Sequence, residues 1–336
     1  MTCVYLKPND DSQSECYVHG KCEPDGHQHA SCKDCKEKLL PDNPKFSTQF
    51  IDHLNVQDRN RQPTDSLRDI LNGRSAFLIC GGPSADDNEL ELLNQRGVFS
   101  LAINNMAGYH RFRPNVFVCS DPPSKFHNGI WEDPSIMKIL PTPKLRPRRG
   151  RLRAKEGDAF VALERDGELV NACDSPNVWG FERRGWLRPD DSFFTEPSAA
   201  WGNQDKGTRL TGEPKTVCTM LLGMRLLYYL GCRRMFLLGV DFRMVGDRKL
   251  LANYAFDEER DLEAIRSNNA QFQVVGEWLC KMERDGVFRR FGLEVYNTYR
   301  ESGLRAFPFV PFADALTDVR KWMPDEPYDL RNWYKK

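Results

Sequence analysis

Apolar positions along this chain fall into short continuous runs, each closed by glycine, asparagine, serine or aspartate. That rhythm predicts an α/β sheet. Ala76-Phe77-Leu78-Ile79-Cys80 is apolar throughout, as in a strand buried on both faces. Gly81-Gly82-Pro83-Ser84 breaks it. Ser84 stands three residues before Asp87, a capping-box spacing, and Leu90 and Leu93 extend the predicted helix to Gly97. Two more runs, 98–103 and 116–119, end at Asn104-Asn105 and at Ser120-Asp121-Pro122. The order of strand, turn, helix, strand and strand reads as a parallel sheet, with its polar residues gathered at the carboxyl edge.

The second half repeats the pattern. Residues 216–230 predict a helix with Val217, Leu221, Met224 and Tyr228 on one face and Gly231 as its stop. The run 235–240 predicts another buried strand, ending in Gly239-Val240-Asp241. Ile265, Phe272, Val275, Leu279 and Met282 trace one stripe of a long helix that finishes near Gly286, and 293–296 predicts a late strand. Between the halves, residues 122–211 are rich in proline, tryptophan and arginine and read as an insertion or lid. Within them Asp166-Gly167 predicts a β-hairpin turn. Residues 45–73 read as a polar connector with a short helix at 66–71, ended by Gly73. The main domain then covers 74–316, followed by a tail at 317–336.

The front of the chain has a different character. Of eleven cysteines, five fall in the first 35 residues, in a segment (1–44) with few apolar neighbours. Cys32-Lys33-Asp34-Cys35 has the spacing that lets two thiolates reach one tetrahedral metal, and Cys16 and Cys22 complete a zinc set, with Cys3 and His19 as substitutes. The other six cysteines are scattered singly and read as small buried hydrophobes.

Lysine plus arginine and aspartate plus glutamate both total 48, so no overall field draws in a polyanion, and a charged partner must meet a local patch. One patch stands out. Lys144, Arg146, Arg148, Arg149, Arg151, Arg153 and Lys155 lie within twelve residues that contain no acid, a run suited to a solvated loop or to a polyanionic acceptor. No stretch is apolar enough to span a membrane and the N-terminus lacks a signal-peptide layout, so a cytoplasmic protein is expected.

Chemistry is expected at the sheet's carboxyl edge. The glycine turn 81–84 before a helix N-terminus is a natural phosphate site, and Asn104, Asp121 and Asp241 each follow a predicted strand, where open α/β sheets bind ligands. The stretch Phe77 to Ser84, then Ala102-Ile103-Asn104-Asn105 and Ser120-Asp121, resembles the N-terminal half of one superfamily. It comprises bacterial sialyltransferases, motility-accessory flagellin glycosyltransferases and archaeal 6-hydroxymethylpterin diphosphokinases. Thr216-Val217, Leu230-Gly231, Leu238-Gly239-Val240-Asp241-Phe242 and Tyr254-Ala255-Phe256-Asp257 resemble its second half. The resemblance covers about 75–121 and 212–316.

It implies a Rossmann-like sheet with helices on both faces that transfers a sugar from a CMP-sugar, or a diphosphate from ATP. By it, Gly81, Gly82, Pro83 and Ser84 bracket the nucleotide, Asn104 contacts it, and Thr216 lies near the donor. The sialyltransferases use a histidine downstream of the Gly-x-Asp strand, whereas the six histidines here end at His127. The base then falls to Asp241, with Asp121 second, or to Asp257, His110 or His127. The diphosphokinase reading calls for magnesium on Asp121 and Asp241. A third reading is a zinc-bearing module on a silent core that holds nucleic acid through the basic run.

Overall fold

The computed structural model describes residues 54–121, 123–142, 168–203, 216–245 and 262–321, with further short strands at Leu6–Pro8, Ser14–Cys16, Gly20–Cys22 and Ala162–Arg165. Among the described residues, eight strands form one sheet: β1 (Val56–Gln57), β2 (Ser75–Ile79), β3 (Ser100–Ile103), β4 (Val116–Val118), β5 (Met137–Pro141), β6 (Val178–Phe181), β7 (Arg234–Leu238) and β8 (Glu294–Asn297). Their order across the sheet is β8-β7-β2-β3-β4-β5-β6-β1. Every neighbouring pair is parallel except β6 and β1. The chain builds outward from β2 in one direction, then returns to set β7 on β2's other side. The gap between the carboxyl ends of β2 and β7 is therefore a topological switch point.

Six helices among the described residues accompany the sheet: α1 (Asn128–Glu132), α2 (Ser192–Thr195), α3 (Thr219–Tyr229), α4 (Leu262–Arg284), α5 (Val287–Arg290) and α6 (Phe312–Arg320). Side chains of successive strand residues divide between two apolar layers, as a pleat requires. Ala76 and Leu78 of β2 join Leu222 and Leu226 of α3 and Leu279 of α4. Phe77 and Ile79 join Trp131 of α1 and Leu316 of α6 on the other face. The continuous apolar runs follow from this burial on both sides. Gly223 of α3 lies so close to β2 that an added Cβ would sit 2.6 Å from Leu78 Cδ1.

Several expectations change. The helix expected over 84–97 is replaced by two 3₁₀ turns, Pro83–Ala85 and Leu90–Asn94, although Leu90 and Leu93 are buried as expected. Ser84 does not cap a helix, because its hydroxyl is taken by Asp241. Residues 66–71 form turns in place of a helix. Their amides are used elsewhere: Asp69, Leu71 and Gly73 donate to the carbonyls of Tyr229, Leu230 and Gly231, closing the C-terminus of α3. This part of the connector also belongs to the core, through Leu54, Val56, Leu67 and Leu71.

Residues 122–211, read as an insertion or lid, contribute β5 and β6 to the central sheet. The expected hairpin is there, with 162–165 antiparallel to 168–171. The helix expected from 216 begins as α3 at Thr219, and Thr216–Val217 pairs instead with Gly202–Asn203. At the other end, α6 carries the core past residue 316 through buried Val319. At the front, Cys16 lies opposite Leu6 and Gly20, and Cys22 opposite Ser14, in a small antiparallel sheet. Their side chains, together with Cys32, Cys35 and the basic run 144–155, lie outside the described residues. Among the described residues no helix is long and apolar enough to cross a membrane.

Candidate functional site

A cleft of about 630 Å³ opens at the carboxyl edge of the sheet across the switch point. Four of the expected strand-end positions, Gly81-Gly82, Asn104, Asp121 and Asp241, line it together. The glycine turn and the Asp241 loop are built against each other. Gly82 N–H donates to Gly239 O at 2.8 Å. A Cβ on Gly82 would lie 2.5 Å from that same oxygen and closer still to the Asp241 carboxylate. Gly239 has φ +67°, and a Cβ there would strike Cys80 O, so both glycines are required by this contact.

Asp241 is 8% exposed. The Ser84 hydroxyl donates to its Oδ2 at 2.7 Å and the Ser84 amide at 3.3 Å. Burial raises its pKa above the ordinary carboxylate value, and the two bonds from Ser84 oppose that rise without cancelling it. No ion pair reaches Asp241 among the described residues. Its loop is fixed from behind: Gly303 N–H donates to Asp241 O at 2.7 Å, and Asn269 of α4 bonds both the amide and the carbonyl of Met244. A carboxylate so held has a fixed direction, and desolvation increases its basicity.

Asp121 has another setting. It is about half exposed and accepts an ion pair from Lys125 at 3.2 Å. Asp121 and Asp241 do not stand on neighbouring strands. β2 and β3 lie between β7 and β4, so the two strand ends are three spacings apart, about 14 Å at roughly 4.8 Å per strand. They occupy opposite walls of the cleft.

Several lining residues carried no signal in the sequence. Arg243 follows the Asp241 loop into the cleft, where its guanidinium donates to the Tyr299 hydroxyl at 3.3 Å and to Glu301 Oε2 at 3.5 Å. Thr219 stands at the start of α3, its Oγ1 3.3 Å from Ser120 Oγ. Phe242 stacks on Phe272 of α4 with centroids 4.9 Å apart. Outside the lining, Arg183 lies over the Trp201 ring at 4.2 Å, and burial lowers its pKa against the raising field of Asp121. The amino-acid pattern around Trp201 and Phe272 is indistinguishable from core, and only the sheet order places them at an edge.

Two features of the cleft wall are unfinished as protein. Asn104 Oδ1 and Trp201 Nε1 are buried without a hydrogen-bond partner among the described residues, one an acceptor and the other a donor. Asn104 and Phe242 also both adopt φ +52°, which non-glycine residues avoid. Of the histidines named above, His110 and His127 are exposed and outside the cleft lining, with His127 Nδ1 accepting from Gly129 N–H at the start of α1. Asp257 lies outside the described residues, as does the side chain of Thr216. No group of three or more potential metal ligands occurs among the described residues. Comparison of the chain with models of protein families, with curated proteins and with solved structures gave no match.

Proposed function

We propose that this chain is a nucleotide-dependent transferase, a glycosyltransferase that draws on a nucleotide-sugar of the CMP-sugar type through a Rossmann-like nucleotide-binding domain. The observation that carries this reading is the cleft at the switch point, where a glycine turn, a buried carboxylate and unpaired wall groups meet. The backbone of Gly81-Gly82 lines the cleft, where a ligand's phosphate would meet it. Arg243 supplies positive charge in the cleft, Asn104 and Trp201 offer an acceptor and a donor, and the half-buried stacked rings of Phe242 and Phe272 suit a flat ring.

Asp241 is the base in this reading. Its carboxylate removes the proton from an acceptor hydroxyl as that oxygen bonds to the sugar's anomeric carbon, and the nucleotide phosphate leaves with the bonding electrons. A base with a raised pKa takes that proton more readily, and activity falls on the acid side as Asp241 protonates. The diphosphokinase reading is less well supported. Magnesium shared by Asp121 and Asp241 does not fit carboxylates on opposite walls, so no step is routed through it. Zinc on Cys16, Cys22, Cys32 and Cys35 is a separate proposal for the front segment, and elemental analysis of purified protein tests it. The nucleic-acid reading rests on the run 144–155 alone.

The test is a thermal-shift series against CMP, UDP, GDP and ATP at equal concentration. A cytidine nucleotide should raise the melting temperature most, by mass action on the folded state. A shift with ATP alone, and only when magnesium is added, would favour the kinase. No shift with any of the four would remove the nucleotide reading.

A further inference from the structure

Arg225 is a charged side chain inside the apolar layer between the sheet and α3, with 0% exposure. Such a group normally finds a carboxylate, because an unpaired buried charge is strongly destabilising. Arg225 has none among the described residues. One nitrogen, Nη2, donates to Glu196 O at 3.3 Å, just past the end of α2, while Nε and Nη1 are buried without a partner among the described residues. The groups whose charge acts on it include two more cations, Arg184 and Arg233. Burial lowers its pKa only to about 10, so it stays a cation at neutral pH.

Arg184 comes to the same place from the other side. It is 7% exposed, and its Nη2 donates to Ser192 O at 3.0 Å. The Glu196 carboxylate lies 3.4 Å from its Nη1, and Arg184 Nε is buried with no partner among the described residues. Both guanidinium groups are thus tethered to α2 and its C-terminal neighbour Glu196, whose one carboxylate, 36% exposed, faces Arg184. Two buried cations share that single negative charge, and N–H donors on both have no partner among the described residues.

We propose that a small inorganic anion, chloride in a cell, is bound between Arg184 and Arg225 and joins α2 to α3. Burial excludes a bulky or multiply charged anion, and guanidinium N–H groups suit a weakly hydrated halide. The site is separate from the cleft and does not depend on the transferase reading. Its effect on the cleft is indirect, since it steadies the helix whose first turn carries Thr219.

The experiment uses the full chain, exchanged into gluconate and titrated with chloride or bromide at constant ionic strength. Melting temperature should rise by roughly 2–4 °C for each tenfold increase in halide above half-saturation. In Arg225→Met the rise should vanish while the protein stays folded, because the charge needing compensation is gone. Equal melting temperatures in chloride and gluconate overturn the proposal, as does an undiminished halide response in the variant. If Arg225→Met does not fold, anomalous scattering from a wild-type crystal grown in bromide decides instead. A peak between the two guanidinium groups supports the site, and its absence refutes it.

Discussion

The two edges of the sheet use the same residue types to opposite ends. At the amino edge Ser75, Arg234, Glu294 and Asp318 close on one another. The Ser75 hydroxyl donates to Asp318 at 2.8 Å, and Arg234 reaches Asp318 at 3.0 Å and Glu294 at 2.6 Å. Each of these charges has its counter-charge. At the carboxyl edge Asp241 has no ion-pair partner among the described residues, and Asp121 on the opposite wall holds only Lys125 there. Asn104 and Trp201 keep buried polar atoms without a partner among the described residues. Stability alone would select the first arrangement, so the second is where the fold has conceded stability to something else.

This contrast can be broken from either side. The largest effect is expected from Gly82→Ala, because the new Cβ would strike Gly239 O and the Asp241 carboxylate. We expect a loss of about 3 kcal/mol in urea unfolding and the disappearance of any nucleotide-induced thermal shift. Next comes Arg234→Met at the amino edge. It takes the guanidinium from both Glu294 and Asp318, so it should cost about 2–3 kcal/mol while leaving nucleotide affinity within about twofold. A Gly82 variant that binds normally, or an Arg234 variant that does not, would erase the distinction between the edges.

The smallest effect belongs to Arg111, outside both edges. Its guanidinium bonds Glu91 at 2.8 Å and Asp86 at 2.7 Å, holding Glu91 down at about 2 from its usual 4.5. A carboxylate with a depressed folded pKa stabilises above its unfolded value, and that contribution is lost as pH falls toward the folded one. Between pH 4.5 and about 2 the wild type should therefore lose stability faster than Arg111→Leu. Parallel curves for the two proteins would show that this exposed pair is only a surface contact.

Much of the fold was legible, and the failures have physical causes. Strands β2, β3, β4 and β7 are buried on both faces, so their sequences are largely apolar and announce themselves. β5 is equally buried but contains Lys138, with 0% exposure, whose ammonium group donates to the carbonyls of Asp133 and Pro176. A lysine satisfied by backbone oxygens cannot be told in sequence from a solvated one, and β5 was hidden within an apparent lid. The capping pattern at Ser84 misled for a related reason. Its hydroxyl serves a residue 157 positions away rather than the local backbone. At the site, the turn and the strand-end residues were legible because each obeys a local rule. Which walls they occupy was not, since that depends on strand order.

The claim on which the transferase reading rests is that Asp241 is kept as a carboxylate for chemistry and not for stability. Burial raises its folded pKa above the unfolded value. The folded state is therefore penalised increasingly as pH rises from the unfolded value to the folded one, and the full penalty persists above both. An asparagine at this position could still accept the Ser84 bonds but would carry no charge. Urea unfolding of wild type and Asp241→Asn at pH 4 and pH 8 is the direct measurement. The expected result is a variant at least as stable as wild type at pH 8, with its relative advantage smaller at pH 4. A variant weaker by about 2 kcal/mol or more at both pH values, as expected for a structural ion, would contradict the claim.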